Sequence, residues 1–326
     1  NIIKKIEIRW SLNLFSQNLT QFYGAKLPQN SFKEKHCGTG PFTVIIVHEM
    51  SSKYEKRKTS KGIYKVNVRM FDAKTKFRLW TGGGHKIHAT NSVLETEHDL
   101  MLLLGKTKTD IKLKAKNELD DLIVINRDIE GAKGWENLTH LFKILNSTVK
   151  YVILRNYETF NHNDIPEGDI DIITDSPVEF QCIAKAKRIY LNKRRSAFLI
   201  KINNKEVHFD IRYCGDSYYD INWQNSMINN RILDINKFYI LDKYNYFYSL
   251  LYHALIHKPF VSNIYQKRLE MIAKNINVKL PKKDIYNKNW QDIIFEFLKK
   301  KNYSVTIPKD YSVFFDKKNI LEYKID

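Results

Sequence analysis

Gly168-Asp169-Ile170-Asp171-Ile172-Ile173-Thr174 sets two carboxylates two positions apart inside a β-branched, apolar run. A run of this kind reads as a buried strand. Side chains alternate along a strand, so Asp169 and Asp171 project from the same face. Two acids side by side at a sheet edge repel unless a hard cation lies between them. Mg²⁺ suits that arrangement, because it takes one or two carboxylates and leaves its other positions to water and substrate phosphates. The stretch reads as a phosphoryl- or nucleotidyl-transfer site binding Mg²⁺ or Mn²⁺.

A second short strand, Glu206-Val-His-Phe-Asp210-Ile-Arg-Tyr213, carries a third acid between apolar neighbours. Together the acid-bearing strands, over about residues 150–215, resemble the nucleotidyltransferase superfamily with the DNA polymerase β-like fold. The resemblance implies that Asp169, Asp171 and Asp210 bind the metals bridging the nucleotide's phosphates, and that Asp210 helps to deprotonate the acceptor hydroxyl. Where that family has a Gly-Gly or Gly-Ser turn, this chain has Leu154-Arg155-Asn156-Tyr157. Arg155 can stand in for backbone amides there, since its planar fork suits phosphate.

At 326 residues the chain is longer than one ordinary core and implies two domains with appendages. Apolar residues make up 43%, in the globular range, and no run reaches the roughly eighteen apolar residues of a membrane-spanning helix. No signal peptide opens the chain, and its start at Asn1 without Met leads us to expect an upstream segment. Cys37, Cys182 and Cys214 fit neither a disulfide framework nor a zinc spacing, which points to a reducing, cytoplasmic setting. A net charge of +18 favours anionic partners such as nucleotides and sugar phosphates. The basic residues are scattered rather than gathered in a stripe with aromatics, which argues against nucleic acid. Oligomerisation is compatible with this composition.

Residues 2–14 read as a strand, 16–23 as a helix capped by Ser16, and 42–47 as a buried strand. Residues 106–134, rich in Lys, Asp and Glu, read as a connector around one apolar run, Leu122-Ile-Val-Ile125. A helix is expected over 135–145 ahead of the acid-bearing strands. Beyond Asp242 the pattern turns helical, with 246–256 apolar nearly all round and further helices at 265–274 and 290–300. Residues 303–315 read as an edge strand pair.

The first third has its own pattern. Thr81-Gly82-Gly83-Gly84-His85-Lys86-Ile87-His88-Ala89-Thr90-Asn91-Ser92 joins a glycine loop to a histidine, and an acidic amphipathic stretch with Glu95 and Asp99 follows. Over about residues 5–105 this resembles the nucleoside diphosphate kinase family, whose pattern is Asn-x-x-His-Gly-Ser-Asp-Ser and then a Glu. The resemblance puts His85 at the Asn, His88 at the phosphate-carrying His, and Ala89-Thr90-Asn91-Ser92 at Gly-Ser-Asp-Ser. Asp99 falls at the acid that orients the imidazole, and Gly40-Pro41-Phe42 at the family's Gly-Pro-Val. A neutral imidazole is a competent nucleophile towards phosphorus, and a carboxylate on its other nitrogen fixes the tautomer. Arg57, Arg69 and Arg78 are candidate phosphate clamps. The family's Arg-rich loop does not align cleanly, and its first strand, with Lys-Pro-Asp, would lie before Asn1.

His253 and His257 stand at i and i+4 on the apolar helix without the Glu of a zinc-protease motif, and read as core or cleft histidines. Lys258 is expected either to reach an incoming triphosphate or to complement a helix C-terminus. Tyr218, Tyr219 and Trp223 read either as aromatic packing between domains or as base or sugar contacts along the rim of the metal site.

The expected architecture is therefore α/β (α+β). A ferredoxin-like, kinase-type domain (1–105) and a connector (106–134) precede a nucleotidyltransferase-type mixed sheet (135–240) and a helical extension (241–326). The expected activity is Mg²⁺-dependent nucleotidyl or phosphoryl transfer from a nucleoside triphosphate to a small phosphorylated or sugar/polyol acceptor, the sugar or polyol phosphate being what resemblance to the superfamily's surface-polysaccharide branch implies. The rivals are a transferase of polyol phosphate from a CDP-type donor and a nucleotide sensor or scaffold without turnover.

Overall fold

The structure, a computed structural model, describes residues 1–59, 62–114, 122–160, 168–191, 194–281, 284–285 and 287–317. It is a mixed α/β chain in two compact units, residues 1–133 with 181–185, and 134–180 with 186–326.

In the first unit, β1 (Ile2–Arg9) pairs antiparallel with β2 (Phe42–Val47), with α1 (Phe15–Tyr23) and α2 (Phe32–Cys37) between them in sequence. A hairpin of β3 (Tyr54–Thr59) and β4 (Gly62–Asn67) follows, then α3 (Val68–Trp80), α4 (Val93–Leu104) and α5 (Lys108–Lys114). Last comes β5 (Leu122–Asn126), which lies parallel to β1 and gives the sheet order β2-β1-β5. Period-two alternation buries Ile6 and Ile8 on one face, in a core with Phe15, Leu19, Phe22, Leu100 and Leu103.

Three expectations are corrected here. The first strand stops at Arg9, and residues 12–14 form a short 3₁₀ turn instead. Ser16 does not cap α1; it lies inside the helix and its hydroxyl donates to Glu34 Oε2 at 3.0 Å. Residues 106–134 do more than connect, because the Leu122–Ile125 run is a strand of the sheet.

The second unit opens with α6 (Leu138–Thr148), capped by Asn137, whose side chain accepts from the His140 amide. Trp135, expected inside this helix, instead bridges to Ile202. The strands and helices that follow are β6 (Tyr151–Ile153), β7 (Ile170–Thr174), α7 (Pro177–Ala184), β8 (Lys187–Arg188), β9 (Ala197–Ile202) and β10 (Lys205–Tyr213). Next come α8 (Ile221–Asn229), β11 (Ile232–Leu233), β12 (Tyr239–Ile240), α9 (Lys243–Ile256), α10 (Asn263–Asn275) and α11 (Lys288–Lys301). The seven-stranded sheet runs β11-β12-β6-β7-β10-β9-β8. Every residue of β7 is buried, as a central strand covered on both faces requires. Phe142 of α6 stacks on Tyr151 on one side. On the other side Val152, Leu154 and Ile173 join one core with α8, α9, α10 and α11, which includes Trp223, Phe247, Leu251, Trp290 and Leu298. The helical tail is thus part of the acid-bearing unit. Residues 303–315 form no strand element among the described residues.

Two local features fix the register around the acids. β9 and β10 are joined by Asn203-Asn204 alone, flanked by the Ile202–Lys205 pair, and both asparagines have positive φ (48° and 59°). A two-residue hairpin turn of type I′ demands that conformation, and Asn tolerates it. β10 then pairs parallel with β7, Phe209 opposite Ile170 and Asp210 opposite Asp171.

Candidate functional site

Because Asp210 and Asp171 are register partners on adjacent strands, both carboxylates leave the same face of the sheet. Asp169 lies two residues before Asp171 and His208 two before Asp210, so all four share that face. Asp171 is buried, Asp210 is about a quarter exposed at its side chain, and Asp169 and His208 are more than half exposed. His208 Nδ1 stands 3.9 Å from Asp169 Oδ1.

Two arginines meet the acids from within. Arg155 follows the end of β6, where the Leu154 amide still donates to the Asp171 carbonyl. Its Nη2 donates to Asp171 Oδ1 at 2.6 Å and to the Tyr218 hydroxyl at 3.3 Å. The Tyr218 hydroxyl in turn meets His253 Nδ1 at 2.9 Å. Arg212, two residues beyond Asp210, contacts Asp210 Oδ2 at 3.3 Å through Nη2, and Asp310 Oδ2 at 2.9 Å and Ser196 Oγ at 3.3 Å through Nη1. Its guanidinium also lies 4.5 Å over the Tyr218 ring.

Burial pushes the Asp171 carboxyl up, and Asp210 and Asp169 push in the same direction against the pull of Arg155. Lys258, just past α9, has its ammonium pKa lowered by burial and by Arg155, with Asp171 opposing, which places it in electrostatic reach of the pair. Its Nζ sits 4.9 Å over the Tyr265 ring.

Carboxylate oxygens on one face are the kind of donor a hard divalent cation takes, and Arg155 and Arg212 are bonded to two of those acids. Among the described residues, no three Asp, Glu, His or Cys groups gather closely enough to hold a metal alone. Mg²⁺ needs only one or two carboxylates when phosphates and water supply the rest, and Asp171 and Asp210, register partners on one face, are the residues that could supply them.

Tyr218, Tyr219 and Trp223 lie in the core rather than at the rim. Asp220 caps α8 by accepting from the Asn222 and Trp223 amides, which turns Trp223 inward, where its Nε1 donates to Asn245 Oδ1 at 2.9 Å. Only the Tyr218 hydroxyl reaches the site. Arg212 and Asp310 were missed by sequence reasoning. The i+2 spacing from Asp210 could have flagged Arg212, whereas nothing local to Asp310 betrays its partner.

In the first unit, His88 Nε2 and Asp99 Oδ2 are 2.8 Å apart, and His98 Nδ1 lies 3.0 Å from Asp99 Oδ1. Ser92 caps α4 by accepting from the Glu95 amide, which fixes the helix carrying Asp99 to the loop carrying His88. Burial raises the Asp99 carboxyl, but the bonds to His88 and His98 outweigh it and leave Asp99 below the usual carboxylate value. The Phe22 and Tyr23 rings meet the His88 imidazole edge-on at 5.4 and 5.9 Å.

The loop 82–84 has positive φ at all three glycines, and a Cβ at Gly84 would strike the His36 ring. His36 Nδ1 accepts from the His85 amide at 2.8 Å. Arg78 Nε donates to the Ile87 carbonyl at 2.9 Å, and Lys74 Nζ donates to the Ala89 carbonyl and Asn91 Oδ1. Both cations thus brace the loop. Thr90 and Thr96 hydroxyls are bonded at 2.9 Å. His85, His88, Thr90 and Asp99 line a cavity of about 320 Å³ with Phe22, Tyr23 and β2. Arg57 does not join them; it lies on β3, paired with Glu55 at 2.6 Å. Arg69 pairs with Glu49 at 3.4 Å.

Cys37, Cys182 and Cys214 form no disulfide among the described residues, and no helix among them is long and apolar enough to cross a membrane. Comparison with family models, curated proteins and solved structures returns no match to this chain.

Proposed function

We propose that the chain is a Mg²⁺-dependent nucleotidyltransferase that passes a nucleotidyl or phosphoryl group from a nucleoside triphosphate to a small sugar or polyol acceptor, as in surface-polysaccharide biosynthesis. The finer fold assignment belongs to this reading: a ferredoxin-like, nucleoside diphosphate kinase-type unit, then a polymerase-β-type nucleotidyltransferase unit. The observation that carries it is the in-register placement of Asp171 and Asp210 on adjacent parallel strands, with Asp169 on the same face.

Asp171, Asp210 and Asp169 would hold the cation. Bound there, it would neutralise phosphate charge and polarise the transferring phosphoryl group. Lys258 supplies a positive charge to the polyphosphate. Asp210, the acid both partly exposed and braced by Arg212, takes the proton of the acceptor hydroxyl. In the first unit, His88, oriented through Nε2 by Asp99, offers Nδ1 to a phosphoryl group.

Incubation with the four nucleoside triphosphates and Mg²⁺ tests the reading. Pyrophosphate release lost in Asp171→Asn supports nucleotidyl transfer, NDP release lost in His88→Ala supports the kinase-like unit, and CMP from CDP-alditols supports polyol-phosphate transfer. One observation favours a second reading. Arg155 and Arg212 already compensate two of the three acids, as a nucleotide-binding sensor would arrange. Nucleotide binding without any product would establish that sensor.

A further inference from the structure

The two arginines at the acid pair are held very differently. Arg212 has three partners on separate segments, Asp210, Asp310 and Ser196, and a ring beneath it. Among the described residues Arg155 has one carboxylate, Asp171, and a longer contact to the Tyr218 hydroxyl, both made through Nη2. Arg212 is built in, whereas Arg155 depends on a single ion pair.

That pair has a definite cause. Asp171 is buried beside Asp210 and Asp169, and a buried carboxylate without a counter-charge is strongly destabilising. Arg155 supplies the charge. A divalent cation on the same carboxylate would meet a guanidinium already in contact with it, with Lys258 in reach of both. Three positive groups around one carboxylate repel unless an anion joins them, and a polyphosphate is an anion with the geometry a guanidinium fork prefers.

Resting on the nucleotidyltransferase reading above, we propose that Arg155 is the resident counter-ion of Asp171 in the nucleotide-free protein, and that it gives up this carboxylate to pair with a substrate phosphate when metal and nucleoside triphosphate bind. Metal and nucleotide then enter together. The cation alone competes with Arg155, and the nucleotide removes that competition. Tyr218 and His253 act behind it as positioning residues, since the hydroxyl bonded to His253 Nδ1 is the second anchor of Nη2.

The test is Mn²⁺ binding, followed by the spin-resonance signal of free Mn²⁺, with and without the α,β-methylene analogues of ATP and CTP. Wild type should bind Mn²⁺ weakly alone and more tightly with an analogue. Arg155→Gln should bind Mn²⁺ alone at least roughly tenfold more tightly than wild type, within the range by which groups bearing on a metal ligand alter its affinity. It should also lose most of the gain from the analogue. Asp171→Asn should abolish binding in both backgrounds. Because Arg155→Gln strips a buried acid of its partner, melting curves provide a second readout: Mn²⁺ should raise the melting temperature of Arg155→Gln well above its effect on wild type. Arg155→Lys, which keeps the charge without the fork, should fall between them.

Equal Mn²⁺ affinity and equal thermal shifts in wild type and Arg155→Gln, both lost with Asp171→Asn, would overturn the exchange while leaving the metal site in place. Absence of any Asp171-dependent Mn²⁺ binding, with or without analogue, would overturn the metal site and the exchange together.

Discussion

His257 ends α9 buried, its ring 4.3 Å from that of Tyr218, and neither of its nitrogens has a hydrogen-bond partner among the described residues. Burial, reinforced by Arg212 and Arg155, holds its pKa well below the ordinary 6.5, so the folded chain keeps it neutral. The unfolded chain protonates it near 6.5. Falling pH therefore favours the unfolded state: the stability His257 permits is complete above about 6.5 and is lost progressively as pH drops below it. From about pH 7.5 to about pH 5.5 the loss from this one group is on the order of 1 kcal/mol. For a unit of this size that is roughly 2–4 °C in melting temperature. Asp171 and Asp216, both raised by burial, act with the opposite sign, taking up protons in the folded state as pH falls. The discriminating quantity is accordingly the difference between wild type and His257→Phe, which keeps the ring and removes the titration. Urea unfolding at the two pH values should show wild type losing on the order of 1 kcal/mol more than the variant. His257→Phe should also be the more stable of the two at about pH 7.5, since two unpaired buried polar atoms disappear. Equal pH dependence in both proteins would refute the reasoning.

Other measurements probe other parts of the chain. Asp99, held low by His88 and His98, contributes stability that is present above the ordinary carboxylate value of 3.8 and is lost as pH falls below it. Acid titration of His88→Ala, which removes one of the two bonds, should show a smaller loss than wild type, complete at a higher pH. If the first unit transfers phosphate, ATP should leave an acid-labile label on wild type, none on His88→Ala, and a weaker one on Asp99→Asn; label on His88→Ala would move the nucleophile elsewhere. Trp223→Ala, which empties a fully buried ring and strands Asn245 Oδ1, should cost about 3–5 kcal/mol in chemical denaturation. Lys258→Ala should raise the apparent Michaelis constant for nucleotide with little change in melting temperature; unchanged nucleotide binding would reduce Lys258 to a helix-end charge.

The acids of the second unit were legible because alternation within a strand is a local property, readable from Asp169, Ile170 and Asp171 themselves. His88 and Asp99 were legible for a similar reason, being a glycine-loop histidine and an acid on the next helix, close in sequence. What escaped depends on distant partners. The Leu122–Ile125 run looked like an island in a connector because its place beside β1 is decided by a parallel pairing across most of the unit. Arg57 looked like a phosphate clamp, but the period of β3 puts Glu55 on its own face two residues back. Tyr218, Tyr219 and Trp223 are aromatic enough to suggest a rim, but Asp220, the N-cap of α8, turns the helix behind it inward. Asp310 meets Arg212 across about half of the unit's length in sequence, and no period or spacing reports that.

The parallel register of β7 and β10, with its asparagine turn just upstream, bears on how the gene tolerates change in length. Removing or inserting one codon between Asn204 and Asp210 keeps the reading frame and alters none of the three acids. It nonetheless reverses which side of the sheet the third acid occupies, or forces the whole strand to slide against both neighbours. A library of single-codon insertions and deletions should therefore be depleted across residues 205–210 as strongly as substitutions of the acids themselves. Changes of two codons, which preserve parity, should retain a folded sheet more often than changes of one.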